Sequence, residues 1–416
     1  MVAQRFVAVL FATAFATIAS QEAGRAAAAP PRFELAPCPF AADDTVLKHV
    51  RCGYLSVPEN RSIPDGRRLK LAVAILKSLS SNPRPDPVVV VAGGPGEPFV
   101  SRAPTLIANG SMDIVRADRD IILYDQRGVA FSEPKFCPEL ADAWTGAGPF
   151  DSPAERRAHQ RDMAARCGES MRRAGYDLSQ YNTVVSAHDL QDLRRALGYK
   201  AWNLHGRSYG SRLALVAMRV SPEGIRSVVL DGPSPPNRSK WVNTPGDFTD
   251  VLKRLSAECA TQPDCKAAFP DVEQTFWRTL EALQRDPFTR QRARDGNTRA
   301  VTVTPARFAG AVYGALERLQ PAVPILIYAM HARDEAMLGP VNRALIQTRE
   351  GRLPGSPGMT HTVNCFEEAP LATPELLQQT RQHREVKRLH AEHHVLLKRL
   401  QERLVGEGPT HAGPTS

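Results

Sequence analysis

The segment Trp202-Asn203-Leu204-His205-Gly206-Arg207-Ser208-Tyr209-Gly210 constrains the fold more than any other part of this chain. An apolar run ends there and a helix-like run begins, and the junction reads Gly206-x-Ser208-x-Gly210. A serine on a sharp strand-to-helix turn projects its hydroxyl out of the backbone, and glycines two positions to either side leave room for that turn. Ser208 is therefore the candidate nucleophile. The same pentapeptide arises by chance in long chains, and a serine that merely caps the next helix is the alternative. The flanking sequence has to decide.

Before the elbow, Leu190, Leu193 and Leu197 fall at helical spacing and the run stops at Gly198. A short strand is expected from Ala201 to His205. After the elbow, Arg212 to Val220 reads as a helix ended by Ser221-Pro222, and Ile225 to Asp231 reads as a buried strand. Helix, strand, elbow, helix, strand is the alternation of an α/β chain with a parallel sheet.

A second constellation lies upstream. Pro87-Val88-Val89-Val90-Val91-Ala92 is apolar and β-branched, as a central parallel strand requires, and it opens into Gly93-Gly94-Pro95-Gly96. Acyl transfer places negative charge on the former carbonyl oxygen, and bare N–H groups of Gly93 and Gly94, with that of Tyr209, are the candidate oxyanion donors. No Gly-Lys-Ser/Thr follows, which argues against a phosphate loop; plain turn chemistry is the alternative. A third strand is expected over Asp120-Ile121-Ile122-Leu123-Tyr124. At its exit Asp125 and Arg127 read as a structural ion pair that holds loops around the site.

These segments resemble a family. Val91-Ala92-Gly93-Gly94-Pro95-Gly96, Asp125-Gln126-Arg127-Gly128 with Ser132, Gly206-Arg207-Ser208-Tyr209-Gly210-Ser211 and Leu230-Asp231-Gly232 occur in the order and approximate spacing of exported α/β-hydrolases similar to proline iminopeptidases and tripeptidyl aminopeptidases. The resemblance covers roughly Cys38 to Cys365. It implies an α/β-hydrolase core, a mostly parallel sheet flanked by helices, with an inserted helical cap and serine peptidase chemistry on the N-termini of peptides. One departure is Ala92, where proline iminopeptidases carry histidine. Acidic residues near the cap bind the substrate's α-amino group in that family, which makes Glu367 and Glu368 candidates for substrate binding; a solvated acidic pair is the alternative.

The expected organisation is a signal peptide over 1–29, a core over 38–232, a cap over 233–365 and a divergent tail over 366–416. Arg5 precedes an apolar stretch from Phe6 to Ala19, followed by small-residue sites, which reads as a secretory signal; an uncleaved anchor is the alternative. The protein is accordingly expected to be secreted or periplasmic, with no integral span after cleavage. Export favours disulfides, and Cys38 with Cys52, Cys137 with Cys167 and Cys259 with Cys265 form local pairs that leave Cys365 over. The cap is expected to begin after Pro233-Ser234-Pro235-Pro236, with helices in Phe248 to Glu281, Pro305 to Leu319 and Pro321 to Ala332. The net charge of +9 is scattered along the chain with no basic block, so nucleic acid is not an expected partner.

The tail departs from the resemblance. A triad in the order Ser, Asp or Glu, His calls for two further apolar strands, yet no Gly-x-x-Asp-x-x-Thr-Pro or Gly-His-Gly segment is present. The C-terminal strands are expected to be absent, and the chain to be truncated or replaced after about Pro370. Thr373-Pro374-Glu375 reads as a helix start, and Val386, Leu389, Leu396 and Leu400 as an amphipathic continuation. The base is unassigned among His361, His383, His390, His393, His394 and His411, and Asp231 is an unusual candidate acid. His188 and His205 read as structural. His390-Ala391-Glu392-His393-His394 does not match H-E-x-x-H, so no metal and no other cofactor is expected. The expected function is an exported serine hydrolase, an aminopeptidase working through a Ser208 acyl-enzyme on a small peptide. The alternatives are an ester hydrolase and a relative without turnover.

Overall fold

The computed structural model describes residues 30–137, 153–294, 297–339 and 355–382. The strands β1 (Arg32–Leu35), β2 (Val50–Pro58), β3 (Arg68–Leu76), β4 (Val88–Val91), β5 (Ile121–Tyr124), β6 (Trp202–Arg207) and β7 (Ile225–Asp231) form one seven-stranded sheet in the order β1-β2-β3-β5-β4-β6-β7. From β5 through β4 and β6 to β7 every pairing is parallel, whereas β1 to β3 form an antiparallel wing joined to β5. The parallel half is the one anticipated from the αβ alternation. The long β2 and β3 escape such a reading because a two-strand meander needs no crossover helix to announce it.

The central valines are apolar without interruption because both sheet faces are covered. Val89 and Val91 pack with Ile122, Tyr124, Leu190 and Leu213 on one face, and Val90 and Ala92 with Ile121, Leu123 and Phe99 on the other. Period-two alternation thus divides one run between two cores. On the first face lie α1 (Pro153–Arg173), α2 (Thr183–Ala196) and α3 (Tyr209–Val220). Asn182 caps α2 by accepting the Val185 amide at 3.0 Å, and Gly198 ends it at φ +77°.

The strand Ile225–Asp231 is not buried as expected. It is the last strand of the sheet, its residues alternate between half-buried and exposed, and Val229 is 59% exposed. An apolar β-branched run specifies a strand; whether another layer covers it depends on the rest of the chain.

A second core lies beyond the proline-rich exit. It is built by α4 (Lys240–Thr261), α5 (Val272–Arg285), the hairpin β8 (Phe288–Arg294) and β9 (Asn297–Val303), α6 (Pro305–Arg318) and α7 (Val323–Ala332). Leu252, Phe276, Phe308, Val312 and Ile327 fill it. Thr304 caps α6 directly before Pro305, which suits the first helical position. The hairpin is not legible in the sequence, because Arg290, Arg292 and Arg294 of β8 hide the apolar alternation that marks a sheet. The disulfides Cys38–Cys52, Cys137–Cys167 and Cys259–Cys265 are formed, and Cys365 is the free cysteine among the described residues. Among those residues no helix is long and apolar enough to cross a membrane. Residues 1–29, where a signal peptide is expected, and the tail from 383 onward with His383, His390, His393, His394 and His411, lie outside the described residues.

Candidate active site

Sheet register brings the two glycine-rich segments together. Val91 on β4 pairs with Gly206 on β6, so the chains leave the sheet side by side and Gly93 comes to lie against Ser208. Ser208 sits between β6 and α3 at φ 54°, ψ −122°, a conformation costly for any residue with a side chain, at about 1–3 kcal/mol. Its amide donates to the Asp231 carbonyl at 2.8 Å, and its carbonyl accepts the Ser211 amide at 2.9 Å. The backbone is thereby held while the side chain stays exposed.

The flanking glycines are sterically required. A Cβ on Gly210 would stand 1.9 Å from the Val91 carbonyl oxygen, and one on Gly206 would stand 2.5 Å from the Gly210 oxygen. Gly210→Ala therefore forces α3 off β4. It is expected to lower the thermal transition by well over 5 °C, or to abolish soluble expression, while Gly246→Ala, where a Cβ meets nothing within 4 Å, changes little.

The facing loop is shaped by Gly94 at φ +108°, a cis Gly94–Pro95 bond and Gly96 at φ +95°. The helix α8 (Pro357–Val363) clamps it from outside: the Ser356 amide donates to the Gly96 carbonyl at 2.8 Å, and the Thr360 hydroxyl donates to the Pro95 carbonyl at 2.5 Å. Neither Gly93 nor Gly94 donates any loop hydrogen bond among the described residues, and Tyr209 as the first residue of α3 has no intrahelical acceptor for its N–H. A Cβ on Gly93 would be 3.2 Å from the Ser208 Cβ, which measures how closely this backbone approaches the serine.

Asp125 and Arg127 are both buried near the site but do not pair with each other. Arg127 forms a bidentate bond to Asp189 at 2.7 and 2.8 Å and donates to the carbonyls of Pro58, Glu59 and Gln180. Asp125 accepts the amides of Phe99, Val100 and Phe131. Each charge is satisfied by partners better placed than its neighbour two residues along. Burial raises the Asp125 carboxyl to about 6, against the three amides, which lower it. A folded-state value above the unfolded one means that the group stabilises the fold fully below about pH 4, and that this contribution is lost as the pH rises through 6. Over pH 4 to 7 the transition temperature of the wild type is expected to fall relative to that of Asp125→Asn, as thermal denaturation would record.

Glu367 and Glu368 follow α8. Glu367 accepts the Thr183 amide and hydroxyl, both at 2.7 Å, and Glu368 pairs with Arg212 at 2.8 Å and accepts the Lys240 amide at 2.8 Å. They tie this segment to α2, α3 and α4. Beneath the elbow the Tyr209 hydroxyl meets Thr183 Oγ1 at 2.8 Å. Burial pushes its phenol far up, so it stays protonated.

Among the described residues no hydrogen bond reaches the Ser208 hydroxyl. His205 approaches Asp231 at 3.8 Å, and the same carboxylate lies 3.9 Å from Arg207. His188 meets the Ser221 hydroxyl at 3.0 Å on the far end of α3. His361 is half-buried, and burial lowers its imidazole to about 4. Among the described residues there is no cluster of three His, Cys, Asp or Glu side chains able to hold a metal ion. Sequence reasoning missed Asp189 and Thr360; they act across 62 and 265 residues, and no local pattern reveals such partners.

Residues 86–268 match the family model of the alpha/beta hydrolase fold, and the sheet, elbow and flanking helices have that architecture. The chain is similar to a tripeptidyl aminopeptidase of Streptomyces lividans, 33% identical over 207 residues, which is 48% of this chain and 38% of that protein. It is also similar to the serine protease Hip1 of Mycobacterium tuberculosis, 25% identical over 353 residues, 80% of this chain and 66% of the relative. Among solved structures a proline iminopeptidase of Mycobacterium smegmatis is 19% identical with a TM-score of 0.31, covering 65% of this chain and 69% of that one. The matched stretch thus spans well under half of the Streptomyces protein and about two thirds of the mycobacterial one.

Proposed function

We propose that this α/β-hydrolase-fold chain is an exported serine hydrolase, an aminopeptidase that cleaves short peptides through an acyl-enzyme on Ser208. The observation that carries the reading is the elbow itself. A strained serine with an exposed side chain lies against a glycine loop in which the Gly93 and Gly94 amides have no acceptor among the described residues. In the reaction Ser208 attacks the carbonyl, the amides of Gly93, Gly94 and Tyr209 hold the oxygen as it gains charge, and a histidine carries the proton to the leaving amine. The similarity to a tripeptidyl aminopeptidase and to a serine protease supports peptides as substrates. The three disulfides support a secreted or periplasmic location.

One observation favours a second reading, a site that no longer turns over: no hydrogen bond from a described residue reaches the Ser208 hydroxyl. The two are separated by incubating the purified chain with aminoacyl p-nitroanilides and p-nitrophenyl esters beside a Ser208→Ala control. Ser208-dependent release from the anilides supports the aminopeptidase, release from esters alone makes the chain an esterase, and no release from a folded protein leaves the second reading.

A further inference from the structure

The loop that supplies the oxyanion amides also carries a carboxylate with no part in the chemistry above. A Cβ built on Gly93 would lie 3.1 Å from Glu97 Oε2 and 3.2 Å from the Ser208 Cβ. The carboxylate oxygen and the Ser208 Cβ therefore flank the same glycine, separated from each other by no more than those two lengths laid end to end. The Glu97 amide donates to the Gly93 carbonyl at 3.2 Å, so the turn that aims the side chain is closed on itself, and the clamp from Ser356 and Thr360 fixes its far side. The side chain is 30% exposed and Oε1 contacts Arg102 Nη2 at 3.4 Å, which leaves Oε2 as the oxygen on the Gly93 side.

A fixed negative charge beside an oxyanion site opposes the charge that forms there. Arg102 offsets part of it, and a cation arriving with the substrate would offset the rest. The α-ammonium of a peptide is such a cation, and its reach is set by covalent geometry. The nitrogen of the first residue lies about 2.5 Å from its own carbonyl carbon, and each further residue carries the ammonium up to about 3.3–3.6 Å away. A carboxylate that adjoins the nucleophile suits the first of these distances better than that of a third residue.

We propose that Glu97 receives the free α-ammonium of the very residue whose carbonyl Ser208 attacks, so that the site takes unblocked peptides and removes one residue at a time. The proposal rests on the serine-hydrolase reading above and narrows its substrate class. It is tested by binding, which does not require turnover. In the full chain carrying Ser208→Ala, calorimetry measures alanine p-nitroanilide, its N-acetyl form and trialanine p-nitroanilide, each again after Glu97→Gln and Glu97→Asp.

Free alanine anilide is expected to bind about tenfold or more tighter than the acetylated form. Glu97→Gln is expected to abolish that difference and Glu97→Asp to keep part of it, while the trialanine anilide changes less than about twofold on either substitution. Equal binding of free and acetylated anilides, discrimination that survives Glu97→Gln, a larger loss with trialanine, or no binding of any anilide would each overturn the proposal. Phosphonate labelling of Ser208 in the wild type reports separately on the hydrolase reading, so the two failures are distinguishable.

Discussion

Ser208→Ala is expected to reduce hydrolysis of aminoacyl anilides to the level of the buffer, a loss on the order of 10⁶-fold in kcat where a base is engaged. The fold should survive, because the Ser208 contacts that hold the turn are backbone contacts: the amide to Asp231 and the carbonyl to Ser211. Alanine at φ 54° keeps most of the strain that serine already bears. A transition temperature within about 2 °C of the wild type is therefore expected alongside the lost activity. Ser208→Gly should relieve the strain and stabilise the chain while removing the nucleophile equally well. Activity retained by either variant would remove Ser208 from the chemistry, whatever else the site contains.

A large effect on stability is also expected beneath the site, at Arg127 and Asp189. Their side chains are 0% and 1% exposed, and the guanidinium bridges two strand-end loops to α2. Removing Asp189 leaves the buried Arg127 guanidinium without a carboxylate, at a cost of about 3–5 kcal/mol, whereas removing Arg127 leaves Asp189 with Arg61 at 2.6 Å but takes the donor from three backbone carbonyls. In a chain of this size Arg127→Met or Asp189→Leu should lower the thermal transition by roughly 5 °C. The double variant should lose clearly less than the sum of the two, since both fully buried charges are then gone and Arg61 keeps Asp192 at 2.8 Å. It should not recover fully, because Arg127 also satisfies three backbone carbonyls. Burial raises the Asp189 carboxyl, but the Arg127 and Arg61 guanidinia outweigh it and hold the group below its ordinary value. The stability it contributes is present above the unfolded value near pH 4 and is lost as the pH falls through the folded one. Acid should therefore erode the wild type more steeply than the double variant.

What the sequence reveals of this fold follows from where each constraint acts. The elbow was legible because its demand is steric and local: glycine at 206 and 210 is imposed by atoms a few residues away or on the adjoining strand. The run Val88–Val91 was legible because burial on both faces leaves no polar position within it. The helices of the second core are marked by their periodicity, whereas the hairpin from Phe288 to Val303 is not. Arg127 could be recognised as a charge needing a partner, but not which one, since Asp189 lies 62 residues on and Asp125 only two away. The same limit applies to Ile225–Asp231, whose composition fixed a strand while the sheet order made it an edge. Glu97 carries no local signal, because it only follows the recognisable Gly93 to Gly96 segment and gains meaning when β4 and β6 lie in register.

The most direct test of a chemically competent elbow is reaction of the wild-type chain with a fluorophosphonate, followed by digestion and mass spectrometry of the peptide that contains Ser208. A single phosphonyl adduct on Ser208, absent from Ser208→Ala and slowed by competing alanine p-nitroanilide, is the expected result. A folded wild-type chain that stays unlabelled at Ser208, or carries the adduct on another residue, would contradict it.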